Sequence, residues 1–202
     1  MFLCKSSRIK IFMKGIVMKS FLAVMLVSVI AGAVEYKGVE YPATIELQGK
    51  TLTLNGLGLR TATFLNIKVY TIGLYVEKKS KDGKKIVESS ENKEFRMQFL
   101  RDVDKGDIVD AWKESFKRHC SGEECKSLKP KLDELNALMQ DMKEDHKVHY
   151  RMYGGKFEVV VNGKTIGAVE GEAFSKLLQK IWLADNSQYK EMRKGLLGLE
   201  DE

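Results

Sequence analysis

The sequence predicts an α+β domain, a mainly antiparallel sheet backed by a layer of helices. Three observations carry that prediction. Apolar residues alternate with period two over short segments bounded by glycine-containing turns. The period then changes to that of a helix, twice in succession, before strands and then helices return. No Pro- or Gly-rich linker interrupts the chain, which at 202 residues suffices for one domain with a real core.

The first 33 residues precede this pattern and read as a signal peptide. Their only charges are Lys5, Arg8, Lys10, Lys14 and Lys19. An apolar stretch follows from Phe21 to Ile30, then Ala31-Gly32-Ala33, the small-x-small pattern of a signal-peptidase site. The stretch is short against the ~20 residues a bilayer span needs. Met13 and Met18 are alternative starts to Met1, because "MKSFLAVMLVSVIAGA" alone makes a well-formed secretory signal. The competing reading is an uncleaved N-terminal anchor. Export would leave residues 34–202 as the folded domain, in the periplasm of a bacterium or outside the cell.

The leader also accounts for the charge. The whole chain carries +6, but five of its 34 basic residues lie in the leader, leaving 29 against 28 acidic ones. A nearly neutral mature chain removes the main support for a nucleic-acid partner.

The elements follow in order. "TIELQGKTLTLNG" alternates on both sides of Gly49-Lys50 and predicts a hairpin. Phe64 to Val76 is apolar on both faces and predicts a central strand. "KKSKDGKK" reads as a solvated turn. In "KEFRMQFLRDV", Phe95, Met97 and Phe99 share one strand face. Asp104 or Asp107 can cap a helix carrying Ile108, Val109, Trp112 and Phe116. Pro130 is placed to open a second helix with Leu132, Leu135, Leu138, Met139 and Met142 on one side. "KVHYRMYGGKFEVVVNGKTIGAVEG" predicts a meander turning at Gly154-Gly155 and Asn162-Gly163. A third helix holds Phe174, Leu177, Leu178, Ile181 and Trp182, and a fourth lies near residues 188–197.

Of the three cysteines, Cys4 lies in the leader, and Cys120 and Cys125 remain in "HCSGEECKS". A pair in an oxidising compartment predicts a disulfide. The rival is a metal site using His119, Glu123 and Glu124, but the spacing matches no zinc pattern, so no metal is expected. His146 and His149 read as solvated helix-end residues.

Sequences such as GxSxG, HExxH, a P-loop and GxGxxG are absent, so no cofactor is expected. The unusual residue is Arg60, which stands four positions before the apolar run at Phe64. An arginine at the rim of an apolar pocket is suited to clamp a carboxylate with parallel donors. Tyr70 could add a hydrogen bond. The alternative is an Arg60 that pairs with a nearby acid or covers a sheet edge.

"GLGLRTATFLNIKVYTIGLYVE" resembles the signature of the chalcone isomerase superfamily, a Gly-rich turn ending in arginine followed by a strand of the form K-(V/F)-(Y/T)-x-(I/A)-G-(V/L)-Y-(V/L)-E. "VVVNGKTIGAVEGEAFSKLLQKIWLADN" is similar to the superfamily's closing meander and helix as written in bacterial secreted members. The resemblance implies a chalcone isomerase-like fold, a large antiparallel sheet backed by helices with a ligand cleft between. It places Arg60 on the arginine that holds substrate for ring closure in the plant enzymes and grips a carboxylate in fatty-acid-binding members. The enzymes' threonine position is Tyr70 here, with Thr71 beside it. Their helical tyrosine and asparagine have no match in "DIVDAWKESF", and Lys180 stands near their late threonine or serine.

Two functions are therefore weighed. One is an exported, non-catalytic protein binding a fatty acid or similar apolar carboxylate, with Arg60, Tyr70, Thr71, Trp112 and Lys180 as candidate ligand-binding residues. The other is an isomerase or intramolecular lyase acting on a conjugated small molecule, with Arg60 stabilising an oxyanion and Tyr70 donating a proton.

Overall fold

The computed structural model describes residues 32–62, 65 and 67–199. Of the expected signal peptide, residues 1–31 lie outside the described residues, as does Phe64 at the head of the expected central strand.

Two hairpins open the domain. β1 (Ala33–Tyr36) and β2 (Val39–Pro42) pair with each other, and the Lys37-Gly38 turn between them has positive φ at both residues. β3 (Thr44–Leu47) and β4 (Lys50–Ala62) form the expected second hairpin. Its turn is Gln48-Gly49, one residue earlier than expected, with φ of 52° and 70°. That left-handed pair matches the twist of the strands it joins.

β3 and β4 begin a seven-stranded antiparallel sheet whose spatial order is its sequence order, β3 to β9. The others are β5 (Ile67–Val76), β6 (Lys93–Phe99), β7 (Lys147–Tyr153), β8 (Lys156–Val161) and β9 (Lys164–Glu170). β5 lies inside the sheet and buries side chains on both faces, as its composition requires. Ile72, Leu74 and Val76 face the helices, where they join the larger core. Tyr75 belongs to a smaller core on the other face, with Tyr41, Leu52 and Leu54.

Among the described residues five helices pack on the sheet: α1 (Gly83–Glu88), α2 (Lys105–His119), α3 (Gly122–Leu138), α4 (Glu172–Leu183) and α5 (Lys190–Leu196). α2 starts at Asp104, one of the two expected caps. α1 corrects the expected solvated turn. Asp82 accepts a hydrogen bond from the Lys85 amide at 3.0 Å, and Ile86 and Val87 are buried. Six residues are too few for helical periodicity to show in the sequence. α3 corrects the role of Pro130, which lies inside the helix rather than at its start. Its exposed position tolerates the ring, at the loss of one hydrogen bond to the carbonyl four residues earlier. His146 and His149 are also corrected, because α3 ends at Leu138. His146 precedes β7 and His149 lies within it, with its Nδ1 3.1 Å from the buried Glu94 carboxylate.

A disulfide joins Cys120 and Cys125, whose Cα atoms are 5.5 Å apart. It ties the C-cap of α2 to the first turn of α3. Among the described residues no three His, Cys, Asp or Glu side chains form a metal-holding group. No described helix is long and apolar enough to cross a membrane.

Candidate functional site

The site is built on β4. Successive strand side chains alternate between faces, so Gly56, Gly58 and Arg60 share the helix-facing side. The segment "GLGLR" is thus strand, not the turn that the resemblance implied. Its glycines do a different job. A Cβ at Gly56 would collide with the carbonyls of Gly195 and Leu196, and one at Gly58 would lie 2.6 Å from Met192 Cγ. Two missing side chains let α5 sit directly on the strand. Asn55 fastens it there, donating to the Leu196 carbonyl at 2.8 Å.

This close seat brings Tyr189, the residue before α5, over Arg60. The guanidinium carbon lies 4.5 Å from the Tyr189 ring centroid. The electron-rich ring face holds the cation without neutralising it. Among the described residues no carboxylate lies within ion-pair distance of Arg60. The nearby Asp102 is engaged elsewhere, accepting from Lys143 Nζ at 2.8 Å and from the Glu144 amide at 3.0 Å.

Tyr70 is the cross-strand partner of Arg60, so both side chains emerge on one face. Its ring packs on Phe99 at 5.6 Å. Burial raises its hydroxyl pKa far above the ordinary tyrosine value, and the neighbouring Tyr189 adds to the rise. The Trp182 indole and Arg60 pull in the other direction without cancelling it. Tyr70 therefore stays protonated and can donate.

Both residues line a cavity of about 370 Å³ between sheet and helices. Its walls include Met97, Phe99 and Tyr150 from the sheet, Ile108 and Trp112 from α2, and Ile181 and Trp182 from α4. Trp112 meets Tyr150 and Trp182 edge to face at 5.5 and 5.6 Å, which fixes this aromatic wall. The exposed side chains of Arg101, Asp102 and Asp107 mark the solvent side. A cavity of this volume and composition is in the range of small-molecule sites.

Arg60, Tyr70 and Trp112 thus come together around one space. Two other candidates do not. Thr71 is fully buried on the opposite face of β5 and accepts a hydrogen bond from the Tyr41 hydroxyl at 2.8 Å. One step along a strand reverses the side chain, which removes Thr71 from the cavity. Lys180 lies beside Ile181 and Trp182 on α4 but borders surface depressions near Leu183 and His119 instead. One residue is about 100° around a helix, enough to turn it away from the interior.

Tyr189, Tyr150 and Arg101 were not candidates from sequence. The alternation of Val148, Tyr150 and Met152 in β7 could have marked Tyr150 as inward-facing. Nothing local marks Tyr189, whose position depends on glycines more than 130 residues earlier.

The family model described as chalcone isomerase-like matches residues 33–198. A search of curated proteins finds no match. Among solved structures, the chain is similar to a fatty-acid binding protein of Arabidopsis thaliana, with a TM-score of 0.66 and 17% sequence identity. The alignment covers 82% of this chain and 96% of that one. A model spanning nearly every described residue, on a sheet-and-helix frame shared with that solved structure, establishes that the chain belongs to the chalcone isomerase-like family.

Proposed function

We propose that this chain binds a fatty acid or a similar apolar carboxylate in the cavity between sheet and helices. The observation that carries the reading is Arg60 laid on Tyr189 with no acid among the described residues paired to it, beside Tyr70 at the same cavity. A lone guanidinium facing an apolar chamber is complementary to a carboxylate on an apolar body. The charge-assisted hydrogen bonds fix the headgroup, and burial of the chain supplies about 0.8 kcal/mol per CH₂. The solved relative named as a fatty-acid binding protein supports the same ligand class. Tyr70, where the enzymes of the family place a threonine, supports binding without ring-closing catalysis.

The protein works, on this reading, after export. The basic leader, its apolar stretch and Ala31-Gly32-Ala33 support cleavage after residue 33 and a periplasmic or extracellular location.

The test is extraction. Protein purified from cells under native conditions is extracted into organic solvent and analysed by mass spectrometry. A stoichiometric apolar acid, absent from an Arg60→Ala preparation, supports the proposal. Extracts without any acid, joined to failure of added fatty acids to bind the purified protein, overturn it.

A further inference from the structure

Among the described residues three large apolar side chains stand exposed, Val34 at 45%, Leu65 at 66% and Ile67 at 37%. Leu65 and Ile67 come together where β4 passes into β5. The sheet narrows there. β3 pairs with β4 only as far as Thr53, and β6 pairs with β5 only as far as Tyr70. Beyond those points Thr61 and Ala62 pair with Lys68 and Ile67, with no third strand among the described residues. The end of the hairpin is therefore a two-stranded arm that carries apolar side chains into solvent. Arg60, Ala62, Val69 and Tyr70, at the base of the arm, line the cavity. Ala62 is the cross-strand partner of Ile67, so the apolar end stands at the cavity mouth.

The charges of the arm are of one sign. From Leu57 to Val76 no residue is acidic, and Arg60 and Lys68 are the basic ones. Lys68 is exposed beside Ile67. The acids bordering the cavity belong to other elements: Asp107 to α2, and Asp102 to the connection before it, where Lys143 holds it. Apolar side chains scattered singly over a surface need no explanation, but a group of them at a cavity mouth marks a contact site. Resting on the carboxylate-binding reading above, we infer that this arm docks the protein on a lipid surface, from which the ligand enters the cavity. An apolar acid resides in bilayers rather than in water. Leu65 and Ile67 enter the interfacial layer, and Lys68 reaches the lipid phosphates on its apolar stem. Docking in this way sets Arg60 close to the headgroups, so an acid passes from bilayer to guanidinium without exposing its chain to water.

The test uses the protein purified after expression with its leader in a bacterial host, and vesicles of phosphatidylcholine with or without phosphatidylglycerol. Two properties are measured, co-flotation with vesicles and transfer of a pre-bound fluorescent fatty acid to them. Wild type should float with vesicles, more so when phosphatidylglycerol is present, and Lys68→Gln should remove that gain. Its transfer rate should rise with vesicle concentration. The double variant Leu65→Ser, Ile67→Ser should associate with vesicles about tenfold or more weakly. It should transfer at a rate independent of vesicle concentration and bind fatty acid in plain buffer as wild type does. The variants share every other residue, so membrane affinity from elsewhere in the chain cancels in the comparison. Equal vesicle association of wild type and double variant overturns the inference. So does a wild type that ignores both kinds of vesicle; self-association that the double variant abolishes would then assign the arm to a second copy of the chain. The underlying reading is judged apart, in buffer alone: Arg60→Ala with unchanged acid binding overturns the carboxylate site, whereas failed docking alongside Arg60-dependent acid binding overturns the arm alone.

Discussion

Replacing Arg60 by alanine separates its two physical roles. Among the described residues the guanidinium makes no ion pair and lies on Tyr189, 4.5 Å from the ring centroid. A cation–π contact at a partly exposed site contributes about 0.5–1 kcal/mol. For a domain of this size that loss lowers Tm by about 1–4 °C. Binding is a different matter. An apolar acid in the cavity would have its carboxylate removed from water with no partner. The exposed Arg101 is solvated and replaces little of the lost interaction. Truncating one partner of a buried charge pair costs about 2–4 kcal/mol, which is about 30- to 900-fold in Kd. Arg60→Lys should recover part of the affinity, because an ammonium offers charge without the parallel fork. The assay is displacement of a fluorescent fatty acid by an acid and by the alcohol of the same length, in wild type and both variants, with thermal melts alongside. The alcohol should bind wild type weakly and be nearly indifferent to Arg60→Ala. An unchanged acid affinity, or a variant that no longer folds, would refute the reasoning and make Arg60 a structural residue.

Other outcomes follow from the same geometry. Tyr70→Phe should weaken acid binding by about 1 kcal/mol, one neutral donor's worth, and a titration showing no change would remove Tyr70 from the site. Gly56→Ala forces a methyl group against the Gly195 and Leu196 carbonyls, so α5 must lift. It should cost about 1–3 kcal/mol in chemical denaturation and weaken acid binding by displacing Tyr189; wild-type stability would show that the seat is not tight. Lys93 is 3% exposed, and burial lowers its ammonium pKa to about 8 from 10.5. Between those values the unfolded chain binds more protons than the folded one, so stability rises with pH. Denaturation from about pH 7.5 to 9.5, below the tyrosine range, should show that rise in wild type and a flatter profile in Lys93→Met; equal slopes would refute it. Expressed with its leader in a bacterial host, the exported protein should begin at Val34 and weigh two hydrogens less than the reduced chain, whereas two titratable thiols in the unfolded, unreduced protein would exclude the Cys120–Cys125 bridge in solution.

The sequence by itself determined the order and kind of most elements. Period-two alternation at Phe95, Met97 and Phe99, and helical spacing through Phe174, Leu178 and Trp182, are properties of neighbouring residues and survive without a partner. The resemblance to the family motif likewise singled out Arg60 and Tyr70, while their cross-strand pairing came from the structure. What lay beyond the sequence was whatever depends on chain brought in from far away. Thr71 and Lys180 were each one position from a cavity-lining residue, and only the settled register of β5 and the rotation of α4 turned them aside. The resemblance placed the "GLGLR" glycines in a turn. Their cause is a helix beginning at Lys190, whose carbonyls fill the space where side chains would stand. The same contact lays Tyr189 over Arg60. An apolar pattern records that a residue is buried, but the identity of what buries it is a property of the packed chain, and that packing decided the site.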